Sequence, residues 1–217
     1  SHKQIYVVME FCSGGDLYSR QPYSEQQSAK ITTKLLSALA YLHKRNISHR
    51  DLKFESIMFE SNAENAEIKL IDFGLSKKYA PEDTIMYDVC GTIYTMAPEV
   101  LRGLYTSKAD LWSVGVIVYM LLSGTKPFYQ RTRQELVHHI RRGEYTFDPI
   151  DFEHVSDDAK EFVSSLIVVN PFERLSSREA LQHYWLRDTY RLSSDRRSNK
   201  EKILLLEAVK ENMKEYC

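Results

Sequence analysis

Three short clusters hold the residue types that can do chemistry. His49-Arg50-Asp51-Leu52-Lys53 sets a carboxylate two residues before a lysine. Asp72-Phe73-Gly74 sets a second carboxylate ahead of a glycine, and Ala97-Pro98-Glu99 a third behind a proline. Carboxylates accept protons and bind hard divalent cations through oxygen. Each triplet alone is common by chance. Their order, and the elements that separate them, carry the information.

Those elements follow from periodicity. Ile5-Tyr6-Val7-Val8-Met9-Glu10-Phe11 is β-branched and aromatic and ends at Ser13-Gly14-Gly15, which predicts a buried strand and a turn. Ala29, Leu35, Leu36, Leu39 and Leu42 recur at helical spacing behind a Ser24 cap, so Ser24 to Arg45 is predicted helical and delivers the chain to His49. Short strands are predicted at Ile57-Phe59 and Ile68-Leu70, just before Asp72. Asp72 to Pro98 has no sustained period and is expected to be a long functional loop. Asp110 to Ser123 is nearly all apolar, the pattern of a helix buried all round. Amphipathic helices are predicted at Thr132 to Arg142 and Ser156 to Val168, with a short one at Ser177 to His183. In Asn199 to Cys217, Leu205, Val209, Met213 and Tyr216 form one apolar stripe, either packing on the same domain or serving regulation or a partner. The fold class expected is mainly α, a helical bundle around a buried central helix with few short β-strands.

In this order and context the motifs resemble those of protein kinases, over Ile5 to about Trp185. Gly91-Thr92 before Tyr94, the run Asp110-Leu111-Trp112-Ser113-Val114-Gly115, and Asn170-Pro171 with Arg174 extend the match. Glu99 is the expected partner of Arg174. The resemblance implies transfer of the ATP γ-phosphate to a protein hydroxyl. Asp51 and Lys53 are the catalytic candidates: Asp51 for the substrate hydroxyl proton, Lys53 for the transferring phosphate. Asp72 would hold Mg²⁺, and Phe73 and His49 would pack together behind both loops. Glu10, Cys12, Asp16 and Met58 match nucleotide-binding positions, with Met9 gating the pocket behind adenine. Asp16 is equally suited to capping a helix. Lys53 after Asp51, with Thr92, is the Ser/Thr pattern.

Gly143-Glu144-Tyr145-Thr146-Phe147-Asp148 and Val155-Ser156-Asp157-Asp158-Ala159-Lys160 resemble the calcium/calmodulin-regulated group, its calcium-dependent protein kinase branch above all. In that branch an acid such as Asp88 stands in for a loop phosphate, which would put negative charge near Arg50.

The sequence also departs from the family. No GxGxxG loop precedes Ile5, no VAIK lysine is present, and the chain starts Ser1-His2-Lys3. The expectation is a C-terminal lobe at 1–190 with the N-terminal lobe absent, inactive alone, followed by a tail helix at 191–217. Ser56 stands where the family has a metal-binding asparagine, and Phe54 where it has proline. Serine offers an oxygen with shorter reach, so Ser56 is a weakened second metal candidate. The alternative reading is therefore a pseudokinase acting as scaffold or protein-binding module. Leu17 to Ser24 is also shorter than the family's helix there, so the pocket rim should differ.

Composition sets the outer limits. The 217 residues are 43% hydrophobic and 27% charged with a net charge of −1, which favours neither nucleic acid nor an anionic membrane as partner. The three cysteines make no disulfide framework or zinc pattern and fit a reducing, cytoplasmic setting. Asn46-Ile47-Ser48 is an accidental glycosylation triplet. The longest apolar run, Leu111 to Leu122, is far short of the roughly 20 residues of a membrane span. Expected partners are ATP, Mg²⁺ and a protein substrate bearing Ser or Thr, with a basic residue upstream of it. No DxDxDG loop occurs, so a regulatory calcium-binding or calmodulin-like segment would lie outside this chain.

Overall fold

The computed structural model describes residue 6 and residues 8–187. The predicted tail helix lies outside these residues. Six helices are described: α1 (Glu25–Lys44), α2 (Lys108–Ser123), α3 (Arg133–Arg142), α4 (Asp157–Leu166), α5 (Ser177–Ala180) and α6 (Tyr184–Arg187). Four short strands complete the set: β1 (Ile47–Ser48), β2 (Ile57–Phe59), β3 (Ile68–Leu70) and β4 (Lys77–Lys78). β1 pairs antiparallel with β4, and β2 with β3.

Helix α1 starts where its cap chemistry dictates. The Gln27 amide donates to Ser24 Oγ at 3.2 Å, and the Ser24 amide donates to Gln27 Oε1 at 2.8 Å. This reciprocal box satisfies two of the four unpaired amides of a helix start. Glu25 in the first turn and His43 and Lys44 in the last suit the helix dipole. The apolar face of Ala29, Ile31, Leu35, Leu36 and Leu39 is buried, largely against α2.

Helix α2 is the core. Every residue from Ala109 to Ser123 is buried, as its all-round apolar pattern predicts. It packs on α1 and α4. The approach of α4 is close at Gly115, where a Cβ would stand 2.9 Å from Leu166 Cβ and 2.8 Å from Ile167 Cγ1. Only glycine fits there without displacing α4.

Of the predicted first strand, residue 6 and residues 8–11 are described, and they form no strand. Tyr6, Val8, Met9 and Phe11 are 80% exposed or more, and among the described residues no strand runs beside them. A strand needs a neighbour to complete its ladder. Backbone pairing begins only at Ser13, whose amide donates to Glu60 O, and Gly14, whose amide donates to Phe59 O. β2 and β3 fall at the predicted residues. The Asp72 to Pro98 stretch is more ordered than expected: it carries β4, turns at Phe73–Leu75 and Ile93–Thr95, and an isolated Met86–Tyr105 pairing. No helix among the described residues is long and apolar enough to cross a membrane.

Candidate active site

The loop from Ser48 to Ser56 leaves β1 and enters β2, and α2 holds it from behind. Asp110, fully buried in the first turn of α2, accepts four bonds. Its Oδ2 takes His43 Nε2 (2.9 Å), Ser48 Oγ (2.9 Å) and the His49 amide (3.0 Å), and its Oδ1 takes the Arg50 amide (2.9 Å). Burial pushes the Asp110 carboxyl up, but His43 and the two amides outweigh it and hold it below the usual range. A charge this deep in an apolar helix is tolerable only because its lone pairs are filled.

So anchored, the loop aims its side chains. The Asp51 amide donates to His49 Nδ1 at 3.3 Å, and His49 Nε2 meets Ile71 O at 3.0 Å. These partners fix the neutral tautomer with the proton on Nε2. The His49 and Phe73 rings lie 5.0 Å apart, so the two loops touch as expected.

Asp51 is 7% exposed. Its Oδ1 accepts from the Thr92 amide (2.8 Å) and Thr92 Oγ1 (2.7 Å), and its Oδ2 from Lys53 Nζ (3.0 Å). Lys53 Nζ also reaches Thr92 Oγ1 at 3.3 Å. Burial pushes the Asp51 carboxyl up, and the bonds from Thr92 and Lys53 more than reverse that, holding it low. Lys53 is held high: burial pulls it down, and Asp51, then Glu55 and Asp72, outweigh that. Both shifts describe one ionised pair. The segment at Cys90-Gly91-Thr92 lies so near the loop that a Cβ on Gly91 (φ 111°) would stand 2.6 Å from Arg50 O.

Arg50 faces the other way, with its backbone in the left-handed region (φ 70°). Its Nε donates to Leu75 O (2.6 Å), and its Nη1 to Asp88 Oδ2 (2.9 Å) and Tyr105 Oη (3.2 Å). Lys77 Nζ shares Asp88 at 3.2 Å, and Tyr105 Oη donates to Asp88 O at 2.7 Å. Asp88 does bring negative charge to Arg50. Arg50 and then Lys77 hold its carboxyl low, while burial pushes the Tyr105 phenol up to about 12.

Asp72 is exposed and also left-handed (φ 63°), a conformation that costs a non-glycine residue energy and clusters at functional sites. Among the described residues no donor is bonded to its carboxylate, and a Cβ at Gly74 would stand 3.3 Å from its Oδ1. Ser56 is fully buried. Its Oγ donates to Lys53 O (2.8 Å) and accepts from the Lys53 amide (2.9 Å), which leaves one lone pair. Among the described residues no three His, Cys, Asp or Glu side chains converge on one point.

The four nucleotide candidates lie along one edge. Asp16 and Met58 pair through their backbones, and Met58 faces Lys69 across the β2–β3 ladder. Lys69 Nζ meets Glu10 Oε1 at 3.0 Å. The Asp16 carboxylate accepts from the Ser19 amide (3.0 Å) and Ser19 Oγ (3.1 Å) just ahead of the short turn at Tyr18–Arg20, whose N-cap is Leu17 rather than Asp16. Cys12 and Met58 are half-buried, and Cys12 and Cys90 are free thiols.

Below the site, Arg174 is buried with all five N–H groups bonded. Nη1 and Nη2 meet Glu99 Oε1 (2.6 Å) and Oε2 (3.1 Å), and the rest meet Val168 O and Lys108 O. The expected Glu99–Arg174 pair is thus present and fixes the end of the loop. Three participants escaped the sequence reading. Thr92 was noted without its bond to Asp51, and Asp110 without its role as anchor. Tyr105 carried no signal at all. A lone acid in an otherwise apolar buried helix was the clue that could have singled out Asp110.

A family model described as "Protein kinase domain" matches residues 1–186. The chain belongs to the protein kinase family. The similarity runs to calcium-dependent and related kinases. "Calcium-dependent protein kinase 4" of Plasmodium berghei (strain Anka) is 42% identical over 187 residues, 84% of this chain and 35% of that protein. "CDPK-related kinase 8" of Arabidopsis thaliana is 39% identical over 188 residues, 84% of this chain and 31% of that protein. "Calcium-dependent protein kinase 24" of Arabidopsis thaliana is 37% identical over 218 residues, 96% of this chain and 37% of that protein. The chain therefore spans about a third of the length of the curated relatives it matches. Kinase family membership and the helix-rich fold agree with the resemblance read from the motifs.

Proposed function

We propose that this chain supplies the catalytic loop of a Ser/Thr protein kinase that transfers the γ-phosphate of ATP to a protein hydroxyl. The observation that carries the reading is the Thr92–Asp51–Lys53 constellation, with one carboxylate oxygen held by Thr92 and the other by Lys53. In the step, the substrate Ser or Thr oxygen forms a bond to the γ-phosphorus, and the bond from that phosphorus to the β–γ bridging oxygen breaks, releasing ADP. Asp51 orients the hydroxyl and receives its proton; its low pKa fits late proton transfer in a loose transition state. Lys53, kept charged by Asp51, offsets charge on the moving phosphoryl group.

When bound, Mg²⁺ would supply charge neutralisation at the phosphates, and Asp72 is the residue to hold it. Ser56 adds no more than a weak interaction through its remaining lone pair. Glu10, Cys12, Asp16 and Met58 line the adenosine side. Phosphate-covering groups of the GxGxxG and VAIK type do not occur among the 217 residues, and the reading requires them from elsewhere in the working enzyme. Calcium control, carried over from the names of the relatives, would need a calcium-binding segment beyond these residues. A cytoplasmic, reducing setting suits the free thiols. Glu55 and Asp16 are the acids that would attract a basic residue upstream of the acceptor.

A second reading, a non-catalytic protein binder, rests on Ser56 and Phe54. Radiolabel transfer from ATP by the full-length protein, beside Ser56→Asn, tests the two. The kinase reading expects Mg²⁺-dependent label on Ser or Thr. No transfer from either form, with ATP still bound, would overturn it.

A further inference from the structure

We infer that the cavity where α1 ends and α2 and α5 begin is a binding site for a phosphate monoester, held by Lys44, Arg178, Ser177 and Asn46. The site is separate from the one above and does not depend on the kinase reading, since no catalytic or nucleotide candidate lines it.

The cavity has a volume of about 400 Å³. Lys44 is the last residue of α1 and Asn46 follows it, while Ser177 and Arg178 open α5, which packs on α1. Two other basic lining residues are already engaged. His43 Nε2 meets Asp110 Oδ2 at 2.9 Å, and Lys108 Nζ donates to Arg174 O and lies 3.9 Å from Glu179. Lys44 and Arg178 are exposed, and among the described residues neither cation has an ion-pair or hydrogen-bond partner. No Asp or Glu lines the cavity.

The decisive feature is Ser177. It is 4% exposed and lines the cavity, yet among the described residues its hydroxyl has no hydrogen-bond partner. Among the same residues Trp112 Nε1 is the one side-chain polar atom both sealed from solvent and unpartnered, so the Ser177 oxygen opens onto the cavity. Burying a hydroxyl without a partner is unfavourable, and this one shares its cavity with two unpaired cations. The Asn46 side chain, also without a partner among the described residues, adds a neutral donor.

Two cations, a hydroxyl and an amide match a group with high negative charge and several acceptor oxygens. A phosphate monoester carries a charge of about −1.5 to −2 at pH 7 and three strong acceptor oxygens. A carboxylate brings a single charge and two oxygens. Arginine can grip phosphate through two parallel bonds, and lysine serves as a point charge.

The test uses the full-length protein, with Mg²⁺ and a saturating non-hydrolysable ATP analogue to fill the nucleotide site. Calorimetric titrations are run with inorganic phosphate and with a short alanine peptide carrying phosphoserine, glutamate or serine. The phosphoserine peptide should bind about tenfold tighter than the glutamate peptide. Arg178→Ala and Lys44→Ala should each weaken it by about tenfold, and Ser177→Ala by about threefold. Phosphopeptide binding tighter than inorganic phosphate assigns the site to a phosphorylated protein segment, and equal binding assigns it to a free phosphate group. No binding of either phosphate source, a glutamate peptide that binds as tightly as phosphoserine, or affinity unmoved by Lys44→Ala and Arg178→Ala together would overturn the proposal. Melting curves of the variants, matching wild type, separate loss of the site from loss of the fold.

Discussion

Asp51 is held by three hydrogen bonds from Thr92 and Lys53, and its chemistry can be tested without touching the fold. Asp51→Asn removes the proton acceptor but keeps shape and most hydrogen-bonding capacity. Transfer should fall by about 10²–10⁴, the usual value of general-base assistance, with the melting temperature nearly unchanged. Thr92→Val should cost less, since the amide bond at 2.8 Å survives. The depressed Asp51 carboxyl also sets a pH expectation. Its ionised form persists below the ordinary aspartate range, so the acid limb of the rate profile should lie below about pH 4. A limb near pH 6 would point to another group. Asp88 is a different kind of acid, exposed and bonded to Arg50 and Lys77. Asp88→Asn should lower activity and its salt dependence while leaving thermal stability alone, and Asp88→Glu should retain most of the rate. Much of this was legible in the sequence, because Asp51, Lys53 and Asp72 sit in motifs of fixed local spacing. The Asp88–Arg50 contact was visible only through family resemblance.

The elements explain what local reading could and could not reach. Ser24 and Gln27 announce the start of α1 within four residues, and the all-apolar run of α2 announces burial. Such signals are local, so they are readable. Asp110 is opposite in kind: its bonds to Ser48, His49 and Arg50 join residues about 60 apart in the chain. The predicted first strand failed for a related reason, since residue 6 and residues 8–11 find no ladder among the described residues. Asp110→Ala leaves four donors without an acceptor and should both destabilise the fold and disorder the catalytic loop. The wild-type sign with pH follows from the depressed carboxyl: its contribution is present above about pH 4 and is lost as pH falls through the folded value. Removing one partner of the buried pair, by Arg174→Ala, should cost about 3–5 kcal/mol in urea unfolding. Gly115→Ala should cost about 1–3 kcal/mol through overpacking against α4. Losses under about 0.5 kcal/mol would show that α4 shifts freely.

At the scale of the molecule, the helical bundle joins the Asp51 loop to the Asp72 turn through the His49 and Phe73 rings, and the strand after that loop carries Met58, paired with Asp16. Bundle and loops are legible from periodicity and motif order, but the question of turnover reduces to Ser56. Its hydroxyl closes the turn at Lys53 and is fully buried, so on the proposed reading one metal interaction is weakened while Asp51 and Lys53 stay paired. Ser56→Asn should raise the rate and lower the Mg²⁺ requirement, provided the larger side chain folds into the turn. The most direct test of the account is transfer of radiolabel from ATP to a protein acceptor by the full-length protein, measured beside Asp51→Asn. The account predicts Mg²⁺-dependent label on Ser or Thr that Asp51→Asn lowers by about 10²–10⁴. Full transfer by Asp51→Asn, or none by wild type and Ser56→Asn alike while both bind ATP, would contradict it.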